Sequence, residues 1–168
     1  MAWMVLMRSI VGMELFDELK ETVRRLRAED GCPWDREQTH TSLKPAVIEE
    51  AAEVICGINV YEHTGNCENL KEELGDLLLQ IVMHCQIAEE EGSFTLDDVI
   101  TGITEKMVRR HPHVFGDKKV SGSKEVLENW EEIKLKEKEG KEDVGLFLPQ
   151  AFDEAEDLIS RARIRKGL

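Results

Sequence analysis

Apolar residues recur at spacings of three and four along most of this chain, and this helical period constrains its fold more than any other feature. No segment of the sequence alternates apolar and polar residues for long enough to predict a β-strand. We therefore predict an all-α fold, a helical bundle. The expected helices span Met13 to about Arg27, Ser42 to about Tyr61, Glu68 to Glu91, Thr95 to about Arg110 and Ser123 to Glu139, and one more short helix follows Pro149.

The third of these helices is apolar around nearly its whole circumference in its second half. The residues concerned are Leu77, Leu78, Leu79, Ile81, Val82, Met83, Ile87 and Ala88. A helix that is apolar on all sides must be buried on all sides. In a chain of 168 residues this favours a second subunit over one face. We predict a homo-oligomer, a homodimer or a homotetramer.

The composition excludes some classes of protein. The net charge of −13 argues against nucleic-acid binding, which needs a cationic surface. No apolar run is long enough to span a membrane, so we expect no membrane partner. The four cysteines form no CxxC pair, and free thiols in a reducing cytoplasm are the simplest interpretation.

Acidic residues are concentrated in the middle of the chain. Between Lys44 and Lys106 one basic residue, Lys71, stands against fourteen acidic ones, whereas ten Lys or Arg follow from Lys106 to Lys141. A salt-bridged helix surface usually mixes the two signs. Within the acidic segment one pattern occurs twice: acid, acid, two small or apolar residues, then acid. Its two copies are Glu49-Glu50-x-x-Glu53 and Glu72-Glu73-x-x-Asp76.

The doubled pattern predicts a cation site. In each copy the second and third acids lie within about 60° of each other on the helix, beside an apolar stripe. If the two helices pack through their stripes as an antiparallel pair, the carboxylates converge at one edge. The expected metal ligands are Glu50, Glu53, Glu73 and Asp76. Four carboxylates repel one another unless cations lie among them, and oxygen donors alone favour Mg²⁺, with Mn²⁺ second.

Two other interpretations of the acidic residues exist. One copy of the pattern alone is most simply explained as the solvated face of a helix, whereas the doubled pattern, in a segment nearly free of Lys and Arg, favours the cation site. A di-iron bundle would need Glu-x-x-His on two core helices, and the one match, Glu37 to His40, follows a Pro-containing loop. His111 and His113 flank Pro112 at a helix end. Histidines at this position interact favourably with the helix dipole, which explains them better than a metal site does.

Six motifs, in this order, resemble the MazG family of nucleoside triphosphate pyrophosphohydrolases. They are Gly31-Cys32-Pro33-Trp34-Asp35, Glu37-Gln38-Thr39-His40, Glu49-Glu50-x-x-Glu53, Glu72-Glu73-Leu74-Gly75-Asp76, the segment from Lys106 to Asp117 that contains Arg109-Arg110-His111-Pro112-His113, and Trp130-Glu131-Glu132-Ile133-Lys134. The resemblance predicts a domain with a four-helix core over residues 13–140, after an extension over 1–12 and before a tail over 141–168. The chain departs from the family's usual residues at Ala46 and at Cys56-Gly57.

The resemblance implies roles for particular residues. It supports the same four metal ligands, and it implies phosphate binding by Lys106 and Arg110, with Glu49 or Glu50 as a possible base, so that the catalytic set is Glu49, Glu50, Lys106 and Arg110. The residues expected near the substrate are Trp34, His40, Glu72, Lys106, Arg110, Trp130 and Lys134.

The function expected from this resemblance is Mg²⁺-dependent hydrolysis of NTPs and dNTPs to the monophosphate and pyrophosphate by a metal-activated water, in nucleotide-pool housekeeping. A narrow-specificity relative acting on dUTP, dCTP or phosphoribosyl-ATP is one alternative. A helical nucleotide-binding or interaction module with weak or no turnover is the other.

Overall fold

The computed structural model describes residues 15–137 and 142–168, and these form helices without any β-strand. The predicted all-α fold is confirmed. In chain order the helices are α1 (Leu15–Leu26), α2 (Pro33–Glu37), α3 (Lys44–Thr64), α4 (Glu68–Glu90), α5 (Leu96–Arg110), α6 (Pro112–Phe115), α7 (Ser123–Lys136) and α8 (Glu142–Lys166). The chain divides into a first compact unit, Met1–Leu96, and a second, Asp97–Leu168.

Three helices differ from the sequence prediction, and each difference involves a proline. The short helices α2 and α6 lie in segments predicted as loops. Pro33 and Pro112 stand at their first positions, where a missing amide breaks no helical hydrogen bond. The last helix, α8, is much longer than predicted and contains Pro149 in its interior. The prediction was wrong there because it treated this proline as a helix boundary.

The core of the first unit forms where α1 packs against the second half of α4. Val23 of α1 and Val82 of α4 are almost completely buried in it. The other core residues are Leu43, Met83, Cys85, Ile87 and Leu96, with Leu19, Leu78 and Leu79 packed against them. The apolar half of α4 therefore finds much of its cover within one chain.

An ion pair connects the end of α1 to the end of α4. The Arg27 side chain is 6% exposed, and its guanidinium lies 2.7 Å from a carboxylate oxygen of Glu90. The same guanidinium donates to the backbone carbonyls of Asp35 and Gln38, at 2.5 and 3.1 Å. Arg27 thereby also fixes the segment that contains α2.

The helices α3 and α4 form an antiparallel hairpin, which is the most extensive helix packing among the described residues. α3 ends at Gly65, whose φ of 74° is a left-handed conformation that glycine adopts without strain. Gly57 lies at the point where the helices approach most closely. A Cβ atom added to it would lie 2.7 Å from the Cα of Leu70.

Part of the apolar surface of the hairpin is exposed. Ile55 and Ile58 of α3 are 60% and 40% exposed, and Leu74 and Ile81 of α4 are 51% and 46% exposed. The four exposed residues, called the hairpin apolar surface below, thus remain open to solvent in the single chain.

The predicted extension over residues 1–12 and the start of the domain at Met13 lie outside the described residues. The predicted boundary between residues 140 and 141 stays a prediction. Among the helices that the structure describes, none is both long and apolar enough to cross a membrane.

Candidate functional site

Three of the four predicted metal ligands come together on the hairpin. Glu50 lies on α3 and is half-buried. On α4, Glu73 is half-buried and Asp76 is exposed. One carboxylate oxygen from each lies within 4.8 Å of the other two. The group, called the three-carboxylate group below, combines three negative charges on two helices.

The helix crossing at Gly57 explains why these side chains meet. Glu50 precedes Gly57 by seven residues, close to two helical turns, and so lies on nearly the same side of α3. Glu73 follows Leu70, the residue opposite Gly57, by three residues, close to one turn. The close approach of the two backbones therefore holds both carboxylates near the line where the helices face each other.

The other acids of the doubled pattern lie around this group. Glu53 is half-buried on α3 and is not a member of the three-carboxylate group. Glu49 is also half-buried on α3, next to Glu50, and Glu72 is exposed on α4. The role of Glu53 as a ligand stays a prediction.

A neutral side chain holds Glu73. The Nδ2 atom of Asn69, one turn earlier on α4, donates a hydrogen bond of 2.8 Å to Oε1 of Glu73. Both residues are half-buried. The amide adds no charge to the group, and it leaves the second carboxylate oxygen of Glu73 available to another partner.

The chemistry of the three-carboxylate group suits a hard divalent cation. All of its donors are oxygen atoms, and neither a histidine nor a cysteine belongs to it. Like charges at such short range repel one another, and a bound cation offsets the repulsion. Mg²⁺ and Mn²⁺ accept carboxylate oxygens of this kind.

Trp34 and His40, two residues expected near the substrate, belong to the first unit but not to the three-carboxylate group. Trp34 is 63% exposed on α2. The Nδ1 atoms of His40 and His84 are 2.8 Å apart, and Nε2 of His40 lies 3.7 Å from Glu91. Burial lowers the pKa of His84, and the neighbouring His40 lowers it further. His84 follows Asp76 by eight residues, which is about 12 Å along the axis of α4. The histidine pair is therefore distinct from the three-carboxylate group.

In the second unit the predicted phosphate-binding residue Arg110 has two neighbours. Its guanidinium lies 5.2 Å from the ring centroid of Trp130, at cation–π distance. Its Nε and Nη2 atoms donate to one carboxylate oxygen of Glu137, at 3.0 and 2.5 Å. The other oxygen accepts a 2.7 Å bond from Arg109. The two arginines hold the pKa of Glu137 at about 2.

The remaining predicted substrate residues lie on α5 and α7. Lys106 is half-buried, one turn before Arg110. Trp130 is half-buried and meets the His111 ring edge-on, with the centroids 4.9 Å apart. Lys134 pairs with Glu131 at 3.2 Å. Arg110, Trp130 and Glu137 thus form one cluster, which places an aromatic ring beside cationic groups.

A comparison with known protein families indicates which proteins contain a similar segment. Residues 38–115 match the model of the MazG nucleotide pyrophosphohydrolase domain. That segment contains the three-carboxylate group, Lys106 and Arg110. Residues 38–115 are therefore similar to a MazG nucleotide pyrophosphohydrolase domain.

Curated relatives are similar to this chain over a longer segment. The nucleoside triphosphate pyrophosphohydrolase/pyrophosphatase MazG of Thermotoga maritima is 52% identical over 124 residues, which cover 74% of this chain and 46% of that protein. The nucleoside triphosphate pyrophosphohydrolase of Escherichia coli K12 is 44% identical over 127 residues, covering 75% and 47%. The uncharacterized protein YabN of Bacillus subtilis is 53% identical over 123 residues, covering 73% and 24%. The chain spans between a quarter and a half of the length of these relatives.

Two residues with close polar contacts were missed by reasoning from the sequence. Asn69 was overlooked because an asparagine one turn before an acid is common on helix surfaces. Glu137 stands in a run of alternating Lys and Glu, which gives no sign that it accepts bonds from two arginines. The one available signal for Asn69 was its i,i+4 spacing from Glu73, a distance at which helix side chains meet.

Proposed function

We propose that this chain contains a MazG domain, which hydrolyses nucleoside triphosphates, including deoxynucleotides, to the monophosphate and pyrophosphate with the help of Mg²⁺. The observation that carries the proposal is the three-carboxylate group, whose oxygens lie within 4.8 Å of one another. The relatives from Thermotoga and Escherichia are named for nucleoside triphosphate pyrophosphohydrolase activity, which supports the proposal. A housekeeping role in the nucleotide pool fits this activity.

The acidic residues have different roles at the phosphate. Glu50, Glu73 and Asp76 hold the cation, with Glu53 as a further ligand. A bound Mg²⁺ supplies Lewis-acid chemistry, offsetting charge on the phosphate and making a water more acidic. A carboxylate that binds a cation is a poorer base, so of Glu49 and Glu50 we favour Glu49 as the acceptor of the water's proton. Glu72 lies at the edge of the site.

The basic and aromatic residues bind the remainder of the substrate. Lys106 and Arg110 clamp phosphate oxygens and stabilise the departing pyrophosphate. A phosphate that binds Arg110 replaces the Glu137 carboxylate, which already occupies an anion-binding position between Arg109 and Arg110. Trp130 and Lys134 contact the nucleotide, and Trp34 and His40 lie near it.

The direct test is pyrophosphate release from a panel of NTPs and dNTPs, measured with Mg²⁺ and with excess EDTA. We expect release from several substrates, and loss of at least 100-fold in rate when the metal is removed, an order of magnitude typical of removing electrostatic stabilisation. Release from dUTP, dCTP or phosphoribosyl-ATP alone would indicate a narrow-specificity enzyme. No release from any substrate would contradict the proposal and favour a binding module.

We also propose that the domain is a homodimer, in which the hairpin apolar surface is covered by a second copy. Ile55, Ile58, Leu74 and Ile81 are 40–60% exposed on two packed helices, and several large apolar side chains exposed on adjacent helices are typical of an interface. A homotetramer would extend the same contact. The free cysteines of the described residues fit a reducing compartment, and we place the protein in the cytoplasm.

Replacing Ile81 by Asp is expected to convert the dimer to a monomer, because a charge inside an apolar interface cannot be hydrated. Light scattering coupled to size exclusion gives the mass. Leu127→Asp is the matched control, since Leu127 is 65% exposed on α7. It should leave the mass unchanged. A wild-type protein that already has the mass of one chain would contradict the proposed dimer.

A further inference from the structure

We propose that Asn69 is a positioning residue that sets the affinity of the three-carboxylate group for its divalent cation. This inference rests on the proposed function, since it concerns the same site. Its basis is the 2.8 Å hydrogen bond from Nδ2 of Asn69 to Oε1 of Glu73, which ties one member of the group to its own helix.

The side chain of Glu73 needs a restraining hydrogen bond more than an isolated glutamate side chain would. It has three rotatable side-chain bonds, and one of its oxygens lies within 4.8 Å of oxygens from Glu50 and Asp76. Repulsion from these two carboxylates favours rotamers that turn Glu73 away from them. The amide of Asn69 opposes this, because turning away breaks a hydrogen bond between half-buried groups.

Asn69 is itself well fixed in place. It precedes Leu70, the residue whose backbone lies against Gly57 at the helix crossing. Its backbone is therefore held by the closest contact of the hairpin, and its side chain is restrained by the same bond that restrains Glu73. The group is thus partly ordered before a cation binds.

The chemistry of the donor is also suited to this role. An asparagine amide donates a hydrogen bond without bringing a positive charge, so the three-carboxylate group keeps its full negative charge for the cation. A lysine in its place would compete with the cation as an ion-pair partner. Hydrogen bonds from outside the ligand set commonly tune metal affinity by 10- to 100-fold.

The test is a titration of the intact chain with Mn²⁺ alone, followed by electron paramagnetic resonance of the free ion, without nucleotide. For Asn69→Ala we expect the dissociation constant to rise by about tenfold, the low end of the range for such contacts. Asn69→Gln keeps an amide that can reach Glu73, and its constant should stay within about threefold of wild type. Asn59→Ala removes an exposed asparagine from α3 and should change nothing.

The outcomes separate this inference from the proposed function. Wild-type affinity in Asn69→Ala, with normal Mn²⁺ binding by the wild-type chain, would overturn the role of Asn69 and leave the metal site intact. Absence of Mn²⁺ binding by the wild-type chain would overturn the proposed metal site and this inference with it. Circular dichroism of each variant shows whether the helices are retained, and the Gln variant tests the inference if Asn69→Ala does not fold.

Discussion

Replacing Glu50 by Gln is expected to lower the rate of pyrophosphate release by about 100- to 1,000-fold, because it removes one of three charges that hold the cation. Gln keeps the size of the side chain, so the helix hairpin should be retained. In EDTA the thermal midpoint should rise slightly, since the substitution relieves repulsion among carboxylates whose oxygens lie within 4.8 Å. Loss of activity with unchanged or higher stability is the signature of a functional rather than a structural charge.

The matched control for this variant is Glu62→Gln, which removes an exposed acid from the same helix. Its rate should stay within about twofold of wild type, since surface substitutions away from special features have small effects. Steady-state kinetics, circular dichroism and thermal melts with and without Mg²⁺ give all the comparisons. If Glu50→Gln kept more than a tenth of the wild-type rate, the three-carboxylate group would not be the catalytic metal site.

Replacing Gly57 by Ala is expected to destabilise the protein and to impair the site, although alanine normally favours a helix over glycine. The new Cβ atom would lie 2.7 Å from the Cα of Leu70, a backbone atom that cannot move without shifting α4. Overpacking of this kind costs about 1–3 kcal/mol, against a gain of about 1 kcal/mol in helix propensity. We expect a net loss of up to about 2 kcal/mol in the free energy of unfolding, and a lower rate because Glu50 moves away from Glu73.

Gly102→Ala is the control for helix propensity. Gly102 lies inside α5, and an added Cβ would meet no heavy atom within 4 Å. This variant should gain up to about 1 kcal/mol in stability and keep its activity. Denaturant unfolding gives both free energies. Equal stabilisation by the two substitutions would show that the crossing at Gly57 accommodates a side chain.

The helices and most of the carboxylate group could be predicted because they depend on local spacing. The helical period located α1, α3, α4, α5 and α7 to within a few residues. The doubled acidic pattern brought out Glu50, Glu73 and Asp76, which the structure places together. These features follow from the geometry of single helices and from the antiparallel pairing of two neighbours.

The face through which the hairpin packs could not be predicted, because it depends on a contact between helices. The spacing of the apolar residues does not show that the backbone of α3 at Gly57 lies against Leu70 of α4. The same limit applies to Glu137, whose partners Arg109 and Arg110 are 28 and 27 residues away in sequence. Side-chain partners at such separations are visible only once the fold is known.

The three acids of the cation site lie on one continuous stretch of chain, from Glu50 to Asp76, closed by a short turn at Gly65. Segments close in sequence meet at a small cost in chain entropy, and contacts between them form early in folding. A nascent chain therefore acquires the geometry of the site as soon as this one supersecondary element has formed. Changes in more distant segments can then alter what is bound beside the cation while leaving the arrangement of the three acids as it is.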